Sequence, residues 1–189
     1  KLFNSPDKII SPSKFLQDFY QQRNFFSKSE WVTLDQSNSY PEANEVETPI
    51  KFLYVGNLER YKGINKLIKT WEYLKNDQKE LHIVGDGSLL ISTKDWAQDR
   101  EEVKIYGRVR HDNMADIYKS CDALIFPSIC IENDPQVIVE ALDQGLSILA
   151  AKTGGVAEFE AEHINFFEPG NVKQMKEVIE NFSANLING

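Results

Sequence analysis

Two glutamates and one lysine are the charged residues whose types and spacing suggest chemistry. Glu132 and Glu140 are separated by seven residues, and Glu140 lies in an otherwise apolar stretch. Such carboxylates suit recognition of sugar hydroxyls, because one carboxylate accepts hydrogen bonds from two of them. Lys62 lies in the segment Gly56–Gly63 (GNLERYKG), just before a helical pattern. Glycines and a helix start allow close approach of an anion, so Lys62 stands where a phosphate would bind.

Each of these features also has a plainer interpretation. Gly56–Gly63 could be a strand-to-helix turn with a solvated lysine, and Glu140 a surface residue of a helix. Two further glycine segments, Val84–Ser88 (VGDGS) and Lys152–Glu158 (KTGGVAE), could be tight turns or anion cradles. Gly85-x-Gly87 partly matches a dinucleotide fingerprint, but Leu90 occupies the place of its third glycine.

The elements that must position these residues follow an alternating pattern. Six short apolar runs have the length and composition of strands buried on both faces. They are Lys51–Gly56, Leu81–Gly85, Val103–Gly107, Ala123–Ser128, Ser147–Ala151 and Ile164–Glu168. Helical spacing of apolar residues appears between them and after the last. Alternating strands and helices predict right-handed crossovers and a parallel sheet, so 46–189 is predicted to be one α/β domain, doubly wound and Rossmann-like.

Ligands of an open parallel sheet bind beyond the carboxyl ends of its strands. That rule selects the loops that begin at Gly56, Gly85, Tyr106, Ser128 and Lys152. The loop after Ser128 enters a helix, for which Pro135 suits the first turn and Asp134 or Asn133 the cap.

The first 45 residues have a different pattern. Asp7–Ser13 resembles a strand with a turn, Ser13 could cap a helix, and Trp31–Leu34 is a second short strand. A polar, proline-containing linker follows at Asp35–Pro49. A lone strand–helix pair cannot bury its own apolar face, so residues 1–45 must pack on the main domain or belong to a domain outside this chain.

Composition excludes several functional classes. The formal charge is −8, which argues against nucleic acid as a partner. No apolar run approaches the ~20 residues of a membrane span. Cys121 and Cys130 lack the spacing of a metal site and are expected to be reduced core residues of a cytoplasmic protein. Because the chain starts at Lys1, it is expected to be a fragment of something longer.

Taken together, these segments resemble the C-terminal donor-binding domain of GT-B-type retaining glycosyltransferases, the large family-four group called glycosyl transferases group 1. Six segments follow in family order: GNLERYKG, IVGDGS, VKIYGRV, DIYKSCDALIFPS, ENDPQVIVEALDQG and AAKTGGVAE. The similarity spans most of Phe52–Phe182. Asp7–Tyr40 resembles the final strand and helix of the family's N-terminal domain with the interdomain linker.

The resemblance implies a role for each matched residue. Lys62 and Glu132 would be catalytic, Lys62 at the donor diphosphate and Glu132 at the transferred sugar, while Glu140 would hold the ribose. The implied donor-binding set is Gly56, Asn57, Arg60, Lys62, Gly85, Arg108, Val109, Glu132, Asn133, Asp134, Pro135, Gln136, Val137 and Glu140. Arg108 and Val109 would border the nucleobase. No metal and no cofactor is implied, because a cation and helix N-termini can stabilise the leaving diphosphate.

Two positions depart from the family pattern. Asn57 stands where the family usually has arginine, which removes one cation from the phosphate site unless Arg60 replaces it. Asp134 places a negative charge where the family usually has an apolar or small residue. Loss of one charge-assisted contact costs ~1.5–3 kcal/mol.

The function implied is transfer of a sugar, with retained configuration, from a nucleoside-diphosphate sugar to a sugar, lipid-linked or polysaccharide acceptor. In the family the acceptor is bound by the N-terminal domain, which is missing here, so this fragment is expected to be nearly inactive alone. The resemblance also implies that the full-length enzyme is cytoplasmic and could contact a membrane peripherally through that domain. The histidines His82, His111 and His163 are expected to be structural.

Two alternatives remain open. One is a catalytically silent nucleotide-sugar-binding module of the same fold, in which Asn57 and Asp134 mark decay. The other is a nicotinamide-dependent oxidoreductase, disfavoured by the incomplete glycine fingerprint and the missing acidic partner for a ribose.

Overall fold

The computed structural model describes residues 6–34, 49–75, 78–159 and 164–188. The strands are β1 Lys8–Ser11, β2 Glu30–Thr33, β3 Ile50–Val55, β4 Lys79–Val84, β5 Val103–Gly107, β6 Ala123–Phe126, β7 Ser147–Ala151 and β8 Ile164–Phe167. The α-helices are α1 Lys14–Gln21, α2 Ile64–Glu72, α3 Leu90–Ala97, α4 Met114–Lys119, α5 Gln136–Asp143 and α6 Val172–Asn188. Every predicted strand is present, with ends shifted by no more than two residues, and α2 to α6 fall where the apolar residues have helical spacing.

The main sheet has six parallel strands in the order β5-β4-β3-β6-β7-β8. This confirms the doubly wound α/β fold. The chain moves outward in one direction through β3, β4 and β5, then returns to the centre and moves the other way. The direction of the strand order therefore reverses between the neighbours β3 and β6, and ligands of such sheets bind at the carboxyl edge near this switch point.

Both faces of the sheet are covered, which explains the unbroken apolar runs of its strands. On one face, Phe52 and Leu81 pack in a cluster with side chains of α2 and α6, among them Trp71 and Ile179. On the other face, the cluster includes Leu53, Leu124 and Ile148 of the sheet with Tyr118 of α4 and Leu142 of α5. Helices α4 and α5 are thereby fixed against the sheet.

The start of α5 differs from the prediction. Pro135 occupies the cap position ahead of Gln136, and no side chain caps the helix. Asn133 instead accepts a hydrogen bond of 2.5 Å from Ser13 Oγ, and Asp134 accepts one of 3.2 Å from the Gln136 amide group. The predicted cap was wrong because both candidate side chains are used by other partners.

The N-terminal elements pack against the main domain. Strands β1 and β2 form a parallel pair, and Ser13 caps α1 as predicted, since its side chain accepts from the Leu16 amide at 3.2 Å. Glu158 of the main domain accepts hydrogen bonds from the first amides of α1, at Lys14 (3.0 Å) and Phe15. A carboxylate at a helix N-terminus is favourable. The predicted linker falls almost wholly in residues 35–48, outside the described ranges.

None of the helices in the described parts of the chain has the length and hydropathy needed to cross a bilayer.

A buried histidine gives the fold a predicted pH dependence. His82 on β4 is 4% exposed and bonds Tyr106 Oη at 2.8 Å and Glu80 Oε2 at 3.1 Å. Burial lowers the pKa of His82 below its ordinary value of 6.5, although the Glu80 carboxylate opposes this shift. The unfolded chain therefore binds a proton that the native state does not. We expect the free energy of unfolding to fall as the pH drops from 6.5 towards 5.

Urea denaturation at pH 7.5 and pH 5.5 measures this effect. In His82→Gln the loss of stability between the two pH values should be smaller than in the parent chain. An unchanged pH dependence in the variant would assign the effect to other groups.

Candidate functional site

A cleft of about 650 Å³ opens at the carboxyl edge of the sheet. The loops after β3, β4 and β5 form its walls, and α4 and α5 each contribute one side chain, Met114 and Glu140. The cleft lies at the edge of the sheet where ligands of parallel sheets bind, and on the β3–β4–β5 side of the switch point.

Six residues of the predicted donor-binding set line this cleft together: Gly56, Asn57, Gly85, Arg108, Val109 and Glu140. The loops after β3 and β4 approach each other closely at Gly85. This residue has φ +148°, and a Cβ atom on it would lie 1.8 Å from the Gly56 carbonyl oxygen. Only glycine allows the loops after β3 and β4 to approach so closely. The glycines at these two positions therefore shape the cleft.

The carboxylate of Glu140 on α5 is held at the cleft by a residue of the neighbouring helix α4. Its Oε2 accepts a hydrogen bond of 2.8 Å from the hydroxyl of Tyr118, a residue of α4 that is 1% exposed. Its Oε1 lies 4.0 Å from His111 Nδ1, beyond direct hydrogen-bonding distance. The side chain of Glu140 is 34% exposed, so this carboxylate is neither fully buried nor an ordinary surface charge.

Lys62 and Glu132, which are seventy residues apart, form an ion pair of 2.7 Å between Nζ and Oε1. The same Oε1 accepts from Ser128 Oγ at 2.6 Å and from Cys130 Sγ at 3.2 Å. Burial acts to raise the pKa of Glu132, but these hydrogen bonds and the charge of Lys62 outweigh it and hold that pKa below its ordinary value. Glu132 is therefore ionised near neutral pH.

The Lys62–Glu132 pair adjoins the cleft but is not among the residues that line it. Tyr61, which does line it, precedes Lys62, and its carbonyl accepts hydrogen bonds from the amides of Ile129 (2.9 Å) and Cys130 (3.2 Å). The loops after β3 and β6 are thus joined by backbone contacts beside the cleft. The other predicted residues, Arg60, Asn133, Asp134, Pro135, Gln136 and Val137, also lie outside its lining.

Several lining residues were missed by the sequence interpretation: Glu59, Tyr61, Asp86, Gly87, His111 and Met114. Four of them stand in the two glycine segments already singled out, so loop membership was the available signal. His111 was expected to be structural, yet it lies in a short turn with its side chain 84% exposed at the cleft. His163 lies outside the described residues.

The two cysteines differ. Cys121 is a buried free thiol, and burial raises its pKa to about 11, as expected of an inert core residue. Cys130 is only half-buried and contacts Glu132, so its assignment to the core was wrong. The apolar residues around it, Ile129 and Ile131, are both exposed, which is why the local pattern misled.

Charges in the cleft are mainly negative. Glu59 is bound by the Ser88 amide (2.8 Å) and hydroxyl (2.6 Å), which lower its pKa, and Asp86 accepts from the Gly87 amide at 2.7 Å. Arg108 is the one lysine or arginine among the lining residues of the described chain. A phosphorylated ligand would therefore need its charge balanced near Lys62, at the margin of the cleft. Within the described ranges, no group of three or more His, Cys, Asp or Glu side chains is placed to hold a metal ion.

The parallel order of the sheet and the cleft at its carboxyl edge define a doubly wound, Rossmann-like domain. Residues 35–186 match the family described as "Glycosyl transferases group 1", and the chain belongs to that family.

Comparisons with individual proteins agree with this assignment. The chain is 29% identical over 174 residues to a lipopolysaccharide 1,2-N-acetylglucosaminetransferase of Salmonella typhimurium, a match that covers 80% of this chain and 46% of the relative. The fold of this chain is similar to that of Anabaena HepE in complex with UDP, with a TM-score of 0.72 at 20% identity. The match covers 95% of this chain and 54% of HepE. The apo lipopolysaccharide outer core galactosyltransferase WaaB gives a TM-score of 0.74 at 18% identity, over 95% and 54% of the two chains. The chain thus spans about half the length of these relatives.

Proposed function

We propose that this chain is the donor-binding half of a retaining hexosyltransferase. In this proposal, a sugar passes from a nucleoside diphosphate to a sugar, lipid-linked or polysaccharide acceptor bound by a further domain. The reaction takes place in the cytoplasm, with any membrane contact made through that domain. The main support is that Glu140 lines a cleft at the carboxyl edge of the sheet while Lys62 and Glu132 pair beside it. Further support comes from the comparisons, since one relative is named as a lipopolysaccharide glycosyltransferase and one similar structure contains UDP.

Lys62 is the group we assign to the diphosphate. An ammonium group has three donors, and within the described residues Glu132 is its one hydrogen-bond partner. The remaining donors can bind phosphate oxygens while the bond to Glu132 fixes the side chain. The positive charge would then stabilise the diphosphate as it leaves, so this chemistry needs no metal or other cofactor.

Glu132 and Glu140 are assigned to hydroxyl groups of the donor. Three donors converge on Oε1 of Glu132, and Oε2 has no hydrogen-bond partner within the described ranges, so it can accept from the transferred sugar. Glu140 stands among the cleft residues and is assigned to the ribose. Arg108 and Val109 border the space left for the base.

Asn57 favours a second candidate, a silent nucleotide-sugar-binding module. It lines the cleft at the position where the family usually has arginine, and the lining already carries three carboxylates. Such a module would bind the donor without transferring its sugar.

Calorimetric titration with UDP, GDP and ADP, followed by a donor screen, tests the proposal. We expect one nucleoside diphosphate to bind, and we expect this chain alone to form far less glycosylated product than a protein spanning the full length of the relatives. Binding without turnover in the longer protein would favour the silent module. Failure of all three nucleotides to bind would contradict both functions.

A further inference from the structure

The hydroxyl of Tyr118 makes the only hydrogen bond to the carboxylate of Glu140 within the described residues. Tyr118 is 1% exposed and packs in the core cluster between α4, α5 and the sheet, so its ring is immobilised. It does not line the cleft. A fixed donor behind a partly exposed carboxylate restricts the rotamers that the carboxylate can adopt.

The direction of this hydrogen bond is settled by the environment. Burial, and secondly the hydrogen bond to Glu140, raise the pKa of the Tyr118 hydroxyl, so it keeps its proton and donates. Glu140 must then accept with Oε2, which leaves Oε1 on the side lined by His111. A carboxylate presented in this way can accept hydrogen bonds from a vicinal diol.

We propose that Tyr118 is a positioning residue that fixes Glu140 for recognition of the ribose 2′,3′-diol of the donor. This inference rests on the proposed function, because it takes the ligand of the cleft to be a nucleoside diphosphate. Tyr118 acts through Glu140 and touches no substrate itself. Its contribution is therefore confined to ligands that carry the diol.

The test compares each nucleoside diphosphate that binds the parent chain, UDP first, with its 2′,3′-dideoxy form by calorimetry. Tyr118→Phe keeps the ring and removes the hydroxyl, and Tyr106→Phe removes a hydrogen-bonded hydroxyl outside the cleft lining as a matched control. We expect Tyr118→Phe to weaken UDP binding about tenfold and to change dideoxy-UDP binding less than twofold. Tyr106→Phe should change neither affinity. In a Glu140→Gln background, Tyr118→Phe should have no further effect on UDP binding.

The possible outcomes separate this inference from the proposed function. If Tyr118→Phe weakens both ligands equally, or neither, the positioning role is wrong while nucleotide binding stands. If the parent chain binds UDP and dideoxy-UDP equally well, the ribose role of Glu140 is wrong. If no nucleoside diphosphate binds, the proposed function itself fails. Thermal unfolding of each variant identifies any loss of affinity that comes from misfolding. If Tyr118→Phe misfolds, binding of UDP and dideoxy-UDP to Glu140→Gln decides whether this carboxylate recognises the diol.

Discussion

Replacing Lys62 by alanine is expected to weaken binding of a nucleoside diphosphate by about 30- to 100-fold and binding of the nucleoside alone by less than threefold. The lining of the cleft carries the carboxylates of Glu59, Asp86 and Glu140 and the single guanidinium of Arg108. With Asn57 in place of the family's arginine, Lys62 is the positive charge that the proposal assigns to the phosphates. Its loss therefore acts on the diphosphate and leaves the base and ribose contacts in place.

Parallel titrations of the diphosphate and the nucleoside measure this difference. Lys69→Ala is the matched control, because Lys69 is an exposed lysine of α2 and its removal changes the net charge by the same amount. We expect the control to lose less than twofold for either ligand. Equal losses for diphosphate and nucleoside in Lys62→Ala would remove Lys62 from the phosphate site.

The second large effect is expected from Gly63→Ala, which should destabilise the fold by about 4 kcal/mol. Gly63 has φ +77°, and a Cβ atom there would lie 1.9 Å from the carbonyl oxygen of Pro127. The obstacle is backbone, which cannot turn aside as a side chain would. The substitution must separate the loop that carries Lys62 from the loop that carries Glu132.

Gly107→Ala provides the control that separates clash from backbone strain. Gly107 has a similar φ of +69°, but nothing lies within 4 Å of the position of its Cβ. We expect this variant to lose only about 1 kcal/mol, the cost of a left-handed conformation for alanine. Equal losses of unfolding free energy in the two variants, measured by urea denaturation, would show that the close approach of Pro127 contributes nothing to the destabilisation.

The sheet was predictable because its strands are buried on both faces. Runs such as Ser147–Ala151 coincide with a strand from end to end, and the alternation with helices fixed a parallel arrangement. The strand order then placed the candidate site at the carboxyl edge. The start of α5 was not predictable, since Asn133 bonds a residue 120 positions away and local capping rules do not include such partners.

The site was predictable in part. Glycines and loop positions identified most of the cleft, and Glu140 was singled out by its position in an apolar stretch. The sequence could not show that Lys62 contacts Glu132, because that ion pair depends on how two loops meet. Nor could it distinguish Tyr118 and Ser128 from neighbouring core residues, since the hydroxyls that hold the two glutamates have no pattern of their own.

Amide hydrogen exchange, measured with and without a saturating nucleoside diphosphate, locates the ligand most directly. We expect slower exchange in peptides that cover 56–63, 84–88 and 107–111, the loops that wall the cleft, and in the start of α5. A second groove between β8 and α6, lined by Lys152, Phe166 and Gln174, serves as the internal comparison and should be unchanged. Protection confined to that groove, with no change in the three loops, would contradict the assignment of the cleft.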